Sequence, residues 1–155
     1  MRRVASLTRM TLLALSFIGT IVMFVVVFPR FDAIWAVGDF HLNRISAGAS
    51  YDWSEVPDGA GLYIVGHVVA DLVFMVIYGT FLLVASSLVL PRFPRLAWVV
   101  RLLLMATLAL DLAEDVGFLV HAGHPALSVA KLVVFAATAL LAVSGLIAAV
   151  VRRRR

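Results

Sequence analysis

The sequence predicts an all-α integral membrane protein, one antiparallel four-helix bundle with both termini in the cytoplasm. Three observations predict it. Of 155 residues, 63% are hydrophobic and only 14% are charged, whereas a soluble domain of this size needs far more polar surface. Four apolar runs each come near the ~20 residues that cross ~30 Å of hydrocarbon. The arginines collect at the ends of those runs, so the formal charge of +4 reads as membrane topology and not as a nucleic-acid surface.

The first span runs from about Met10 to Phe28 and is uncharged. Its basic start resembles a signal peptide, but the run is long and PRFDAIWAVG follows it without a small-x-small cleavage site, so an uncleaved span is expected. The second, about Gly61 to Leu90, is broken only by His67 and Asp71; the third covers about Leu96 to Val120 and the fourth about Ala126 to Val151. Pro29, Pro91, Pro94 and Pro125 mark span ends, where a missing N–H costs little. Short turns after the second and third spans force neighbouring helices to pack, giving a single domain over residues 1–155.

Orientation follows from the loops. Arg2, Arg3 and Arg9, the PRFPR turn with Arg92 and Arg95, Arg101, and the tail Arg152 to Arg155 place those ends inside. The loop 30–59 holds Asp32, Asp39, Asp52, Glu55 and Asp58 against Arg30 and Arg44, and lies outside. The HAGHPALS turn has no cation and fits outside as well. Within the outer loop Phe31, Ile34, Trp35, Leu42 and Ile45 fall partly at helical spacing, a segment that lies on the membrane surface or caps the bundle, while AGASYDWSEVPDGAG is irregular. Trp35, Tyr51 and Trp53 suit the outer interface and Trp98 the inner one. Gly66, Ala70, Gly79, Ala106, Ala109, Ala113 and Gly117 are expected to let helices approach closely.

Functional interest centres on LLLMATLALDLAEDVGFLV, residues 102–120, whose Asp111, Glu114 and Asp115 sit inside an apolar run. A carboxylate in hydrocarbon costs several kcal/mol or more, so it is neutralised, paired or held in a polar cavity. The three occupy about 100° of the helix, and His67 and Asp71 share a face of the second span. At ~1.5 Å per residue, His67 and Asp115 lie roughly 10 Å deep, and Asp71 and Asp111 about 15 Å deep. Lys131, early in the fourth span, reaches the same level. Tyr63, Phe74 and Tyr78 continue the His–Asp face as an aromatic stripe, and Phe17, Phe24, Phe28, Phe118 and Phe135 are candidates for further walls.

A purely structural account pairs Lys131 with Asp115 or Glu114, and His67 with Asp71, to fix helix register. Against it, acids outnumber bases, so at least one carboxyl carries a proton at neutral pH, which is what a general acid requires. The absence of cysteine excludes disulfides, thiolate metal sites and cysteine nucleophiles. Oxygen-rich ligands here would suit Mg²⁺, Mn²⁺ or iron. Yet histidines are too few for a His-box, and His121 and His124 lie too far out for haem. No metal and no cofactor is assigned. There is no Ser-His-Asp arrangement, P-loop or glycine-rich nucleotide fingerprint, and His41 reads as a solvated loop residue.

GLYIVGHVVADLVFMVIYGTFLL followed by LDLAEDVGFLV resembles a largely uncharacterised group of small bacterial four-span membrane proteins with a D-x-x-E-N type motif, Asp115 standing where that pattern has Asn. A looser resemblance, in layout, is to the emopamil-binding sterol isomerases, and another is to membrane-bound terpene cyclases of meroterpenoid pathways. These resemblances imply a multi-pass protein of the bacterial inner (plasma) membrane. They also imply an enzyme: an acid-initiated cyclase or isomerase of an isoprenoid or other apolar substrate from the bilayer. Asp111 or Glu114 would donate the proton, with Asp115 beside them. Tyr63, Phe74, Tyr78 and Phe118 would line the substrate, and His67, oriented by Asp71, would take the final proton. The alternative is a proton- or cation-coupled transporter subunit or an assembly partner, for which a homo-oligomer is expected. A closed aromatic pocket open sideways to lipid favours the first, a polar track between the two water phases the second.

Overall fold

The computed structural model describes residues 2–151, and the regular elements among them are helical. The tail Arg152 to Arg155, read above as cytoplasmic, lies outside the described residues. Helix α1 spans Arg2–Val22 and passes through a π-helical turn, Met23–Val27, into α2, Phe28–Trp35. A short α3, Leu42–Ser46, and a 3₁₀ turn, Trp53–Glu55, precede three long helices: α4, Gly61–Val89, α5, Pro94–Leu119, and α6, Pro125–Val151. Four segments are long and apolar enough to cross a membrane: Leu7–Trp35 and the three long helices.

The first span outruns its expected end at Pro29 by most of two turns. A helical proline removes one hydrogen bond and its ring crowds the carbonyl a turn behind. Here the turn before it is widened, with the Phe28 N–H donating to the Met23 carbonyl five residues back, which carries the helix past the ring to Trp35. Pro94 and Pro125 behave as expected and open α5 and α6, where their missing donors are not needed. Hydroxyls within the spans turn back onto their own helix: Ser16 donates to Leu12, Thr20 to Ser16, Thr107 to Leu103 and Thr138 to Val134. A polar side chain satisfied this way can sit in an apolar helix.

Helix α4 is central, packed against α1, α5 and α6. Its outward residues Leu62, Val69, Val76 and Leu83 are exposed and apolar, like Leu102 and Met105 on α5 and Leu140 and Ile147 on α6. The interior reverses this pattern: His67, Asp71, Asp111, Glu114, Asp115, Ser128 and Thr138 are buried. Along α4 and α5 these polar residues separate two apolar clusters. One contains Met75, Tyr78, Leu82, Val100 and Leu104. The other holds Phe40, Leu42, Ile45, Tyr63, Ile64 and Phe118.

That second cluster settles the outer segment. Leu42 and Ile45 are buried against the helix ends, so α3 caps the bundle, whereas Ile34 and Trp35 stay exposed. Trp53 is drawn inward too, stacking on Phe118 at 5.7 Å. Ser54, through its hydroxyl and N–H, bonds Asp52, which caps the 3₁₀ turn and whose carboxyl is held below its ordinary range by those bonds. Of the small residues expected at close contacts, Gly66 lies under the Phe31 ring. Ala106, Ala109 and Ala113 are exposed on α5, and nothing approaches the Cβ position of Gly79. The three alanines make no close helix contact within this chain, because the acids on the opposite side of α5 set which face turns inward; Gly79 is buried on α4 but has open space at its Cβ position.

Candidate functional site

Four carboxyls and one lysine meet where α4, α5 and α6 converge. Spacing of three and four on α5 turns Asp111, Glu114 and Asp115 inward while Leu112, Ala113 and Val116 face out. Asp71 joins them from α4, and Asp71, Asp111 and Glu114 offer oxygens within 4.8 Å of one another. Such a spacing suits a cation, and the cation present is the Lys131 ammonium. Six residues after the start of α6, or about 9 Å along its axis, Lys131 reaches Glu114, Asp111 at 3.1 Å and Asp71 at 3.9 Å. Its side chain is 14% exposed. Of its two expected partners, Glu114 is engaged and Asp115 is not; the ammonium lies between Glu114 and Asp111.

Each remaining acid has its own surroundings. The Glu114 carboxylate is closed off, accepting from the Ser128 hydroxyl on one oxygen and from Lys131 on the other. Asp111 accepts from the Tyr78 hydroxyl. Asp115 is 1% exposed and neither of its oxygens has a donor. Its neighbour is the Asp71 carboxyl.

Histidine 67 departs from expectation. No hydrogen bond joins it to Asp71 among the described residues, and its Nδ1 is buried without a partner. One helical turn separates the two, but the nearest charged partner of Asp71 is Lys131, at 3.9 Å. The imidazole is held by rings: Phe28 at 5.6 Å, Phe118 at 5.9 Å, Tyr63 at 6.3 Å and Phe31 at 6.4 Å.

A cavity of about 300 Å³ opens onto this cluster. Asp71, Asp111, Lys131, Thr107 and the Tyr78 hydroxyl form its polar end, and His67 faces it from α4. Phe28, Phe74 and Phe135 are its walls, while Asn43, Ser46 and Ala47 of the α3 segment lie over it. Phe24 and Leu132 also line it, yet they are 58% and 42% exposed on the outer surface of the first span and α6. The cavity therefore has a lateral mouth between those two helices, on the surface that an apolar medium would cover.

Of the residues expected to line a substrate, Phe74 and Tyr78 do so, and Phe24, Phe28 and Phe135 join them. Tyr63 and Phe118 stand outside the wall. Tyr63 donates to Asp32 and accepts from the Leu42 N–H at 2.8 Å, fastening α2 and α3 to α4. Phe118 is fully buried between His67 and Trp53. Among the expected proton-handling residues, His67, Asp71 and Asp111 border the cavity, whereas Glu114 and Asp115 stand behind it.

The sequence reading missed Asp32 and His41. Taken as exposed loop residues, they form a network in which His41 Nδ1 donates to Asp32 at 2.8 Å beside the Tyr63 hydroxyl. The only local signal was Asp32 within three residues of Pro29, and it is legible only once the helix is known to continue. No protein-family model, curated protein or solved structure matches the chain.

Proposed function

We propose that this chain is an integral membrane enzyme, an acid-initiated isomerase or cyclase of an isoprenoid or other apolar substrate that enters from the bilayer. The four spans would lie antiparallel with both termini cytoplasmic, placing the site in the outer half of a bacterial plasma membrane. The observation that carries this reading is an aromatic-walled cavity with carboxyls at its end and a mouth flanked by Phe24 and Leu132 on the apolar surface.

Roles follow from which groups the cavity meets. Asp111 is the proton donor of choice, since it borders the cavity whereas Glu114 stands behind it. The proton would add to an alkene carbon or an epoxide oxygen. Phe74, Tyr78 and Phe135 would stabilise the resulting cation through their π faces. His67, its Nδ1 free, would remove a proton from a neighbouring carbon as the new double bond forms. His67 and Asp111 border the same cavity, so the proton taken by His67 would return to Asp111 once product leaves, which closes the cycle. Below the cluster, Met75, Phe81, Leu82, Val100 and Leu104 pack the interior, which favours an enzyme over a transporter needing a polar track to the inner face.

The test is solvent-deuterium incorporation by the purified protein in nanodiscs, supplied with linear isoprenoid alkenes and their terminal epoxides in D₂O. Wild type should yield rearranged product, carrying deuterium on carbon from the alkenes and a hydroxyl without a lasting label from the epoxides, and Asp111→Asn should be slower by about 10²–10⁴-fold, the usual worth of a general acid. Equal rates in the two proteins would remove Asp111 from the mechanism. No rearranged product from wild type would remove the enzyme reading for this substrate class.

A further inference from the structure

An arginine inside an apolar span needs a counter-ion or a route to the headgroups, because charge in hydrocarbon is costly. Arg101 stands in the third of the four spans, about 10 Å along α5 from Pro94. It precedes Asp111 by about 15 Å of helix, toward the other end of the bundle from the acid cluster. Among the described residues no carboxylate is in ion-pair contact with it. The proposed chemistry makes no use of it.

Its guanidinium is nevertheless held in place. Nε donates to the Ser86 hydroxyl oxygen of α4 at 3.2 Å, and Ser86 is 1% exposed. The Ser86 hydroxyl itself donates to the Leu83 carbonyl, which leaves its oxygen to accept. The guanidinium carbon lies 5.5 Å from the centre of the Trp98 ring, one turn nearer the start of α5. The side chain thus runs back toward the α4–α5 turn, as a snorkelling arginine does. Ser86 fixes one edge of the planar fork, and the terminal nitrogens remain as paired donors for an oxyanion.

Charge and shape narrow what carries that oxyanion. Residues 90–110 include Arg92, Arg95 and Arg101 and no acid. Arg95, Trp98 and Arg101 follow at intervals of three, within about 120° of the helix surface. Arg95 is exposed, and Trp98 is 58% exposed. Leu102, Met105 and Ala109, all exposed, continue in line with Trp98 at helical spacing. A free phosphate has no use for that apolar strip. An acyl chain does.

We propose that this end of α5 is a binding site for an anionic phospholipid. The terminal nitrogens of Arg101 hold its phosphate, and Arg95 lies toward the headgroup. The glycerol rests against Trp98, and one acyl chain follows Leu102, Met105 and Ala109. The lipid is the counter-ion that the span itself lacks. This site is separate from the acid-lined cavity and does not rest on the enzymatic reading.

The experiment is native mass spectrometry of the full chain in a neutral detergent, titrated with phosphatidylglycerol or with phosphatidylcholine bearing the same acyl chains. Phosphatidylglycerol should bind at least about tenfold more tightly, the range for hydrogen bonds between charged groups. Arg101→Gln should remove most of that preference. Ser86→Ala keeps every charge but frees the guanidinium, and should lower the preference by about threefold, as for one neutral hydrogen bond. Arg9→Gln takes the same charge from α1, which packs on α4, and should change it by less than about twofold, since separated charges are screened. If Arg101→Gln does not fold, Ser86→Ala and Arg9→Gln decide the matter between them. Equal affinity for the two lipids, equal losses in Arg101→Gln and Arg9→Gln, or a preference untouched by Ser86→Ala would overturn the proposal. Displacement of the lipid by glycerol phosphate would overturn it as well, because the site would then take a free anion.

Discussion

Lys131 shows how one residue decides the state of several others. Its ammonium is the common neighbour of Glu114, Asp111 and Asp71, each buried, and among the described residues none of those acids has another cation in ion-pair contact. Removing one member of a buried charged set costs about 3–5 kcal/mol, because the partners remain buried and uncompensated. Lys131→Met should therefore destabilise the protein by about that amount in reversible SDS unfolding from mixed micelles. Adding Glu114→Gln removes the carboxylate that lysine holds most closely, and the double variant should regain about half of the loss. If Lys131→Met unfolds like wild type, the acids are not held by this lysine. The residues that touch it were visible in the sequence because carboxyls at spacings of three and four can only share a face. The absent His67–Asp71 bond was not visible, since spacing of four brings two side chains near without choosing between competing partners.

At the scale of elements, close packing depends on which glycine lies beneath a fixed group. A methyl added at Gly66 would come within 2.7 Å of the Phe31 ring, and that ring is itself stacked on Tyr63 at 5.9 Å and Trp35 at 6.2 Å. With little freedom to yield, α2 would be pushed from α4, and Gly66→Ala should cost about 1–3 kcal/mol, the usual range for overpacking. At Gly79 nothing lies within 4 Å of the added methyl. Gly79→Ala should be neutral or stabilising by up to about 1 kcal/mol through helix propensity. The same SDS titration checks both, and equal losses would contradict the packing described. The long helices were legible almost to the residue: spans expected at 61–90, 96–120 and 126–151 are found at Gly61–Val89, Pro94–Leu119 and Pro125–Val151. Their signal is length of apolar run, which needs no tertiary information. The end of the first span was misplaced because a proline normally stops a helix, and the π turn that accommodates Pro29 leaves no mark in composition. The α3 cap was half legible: helical spacing was present, but the burial of Leu42 and Ile45 depends on Tyr63, eighteen residues or more away in sequence.

For the whole molecule the decisive pattern is inversion, with apolar side chains covering the helices outside and acids, hydroxyls and a lysine gathered within. That arrangement is stable only where the surroundings are themselves apolar, since in water the outward Leu, Ile and Val would drive aggregation. It fixes which surfaces meet lipid but not which end faces the cytoplasm. Orientation rests on charge: Arg92 lies between α4 and α5 and Arg95 in the first turn of α5, while Asp39, Asp52, Glu55 and Asp58 lie between α2 and α4. The positive-inside rule assigns the first turn to the cytoplasm and the acidic segment to the outside. A chain without cysteine makes this a clean measurement, because any introduced thiol is the only one. Asp58→Cys should react in intact cells with a membrane-impermeant maleimide, and Arg95→Cys only after the membrane is opened. Both positions are exposed, and Arg92 and Arg101 remain to hold the topology in the second variant. The reverse labelling pattern would place the acid cluster in the inner half of the bilayer. The cavity mouth would still open to lipid, but the site would then draw on the cytoplasmic leaflet for whatever enters it.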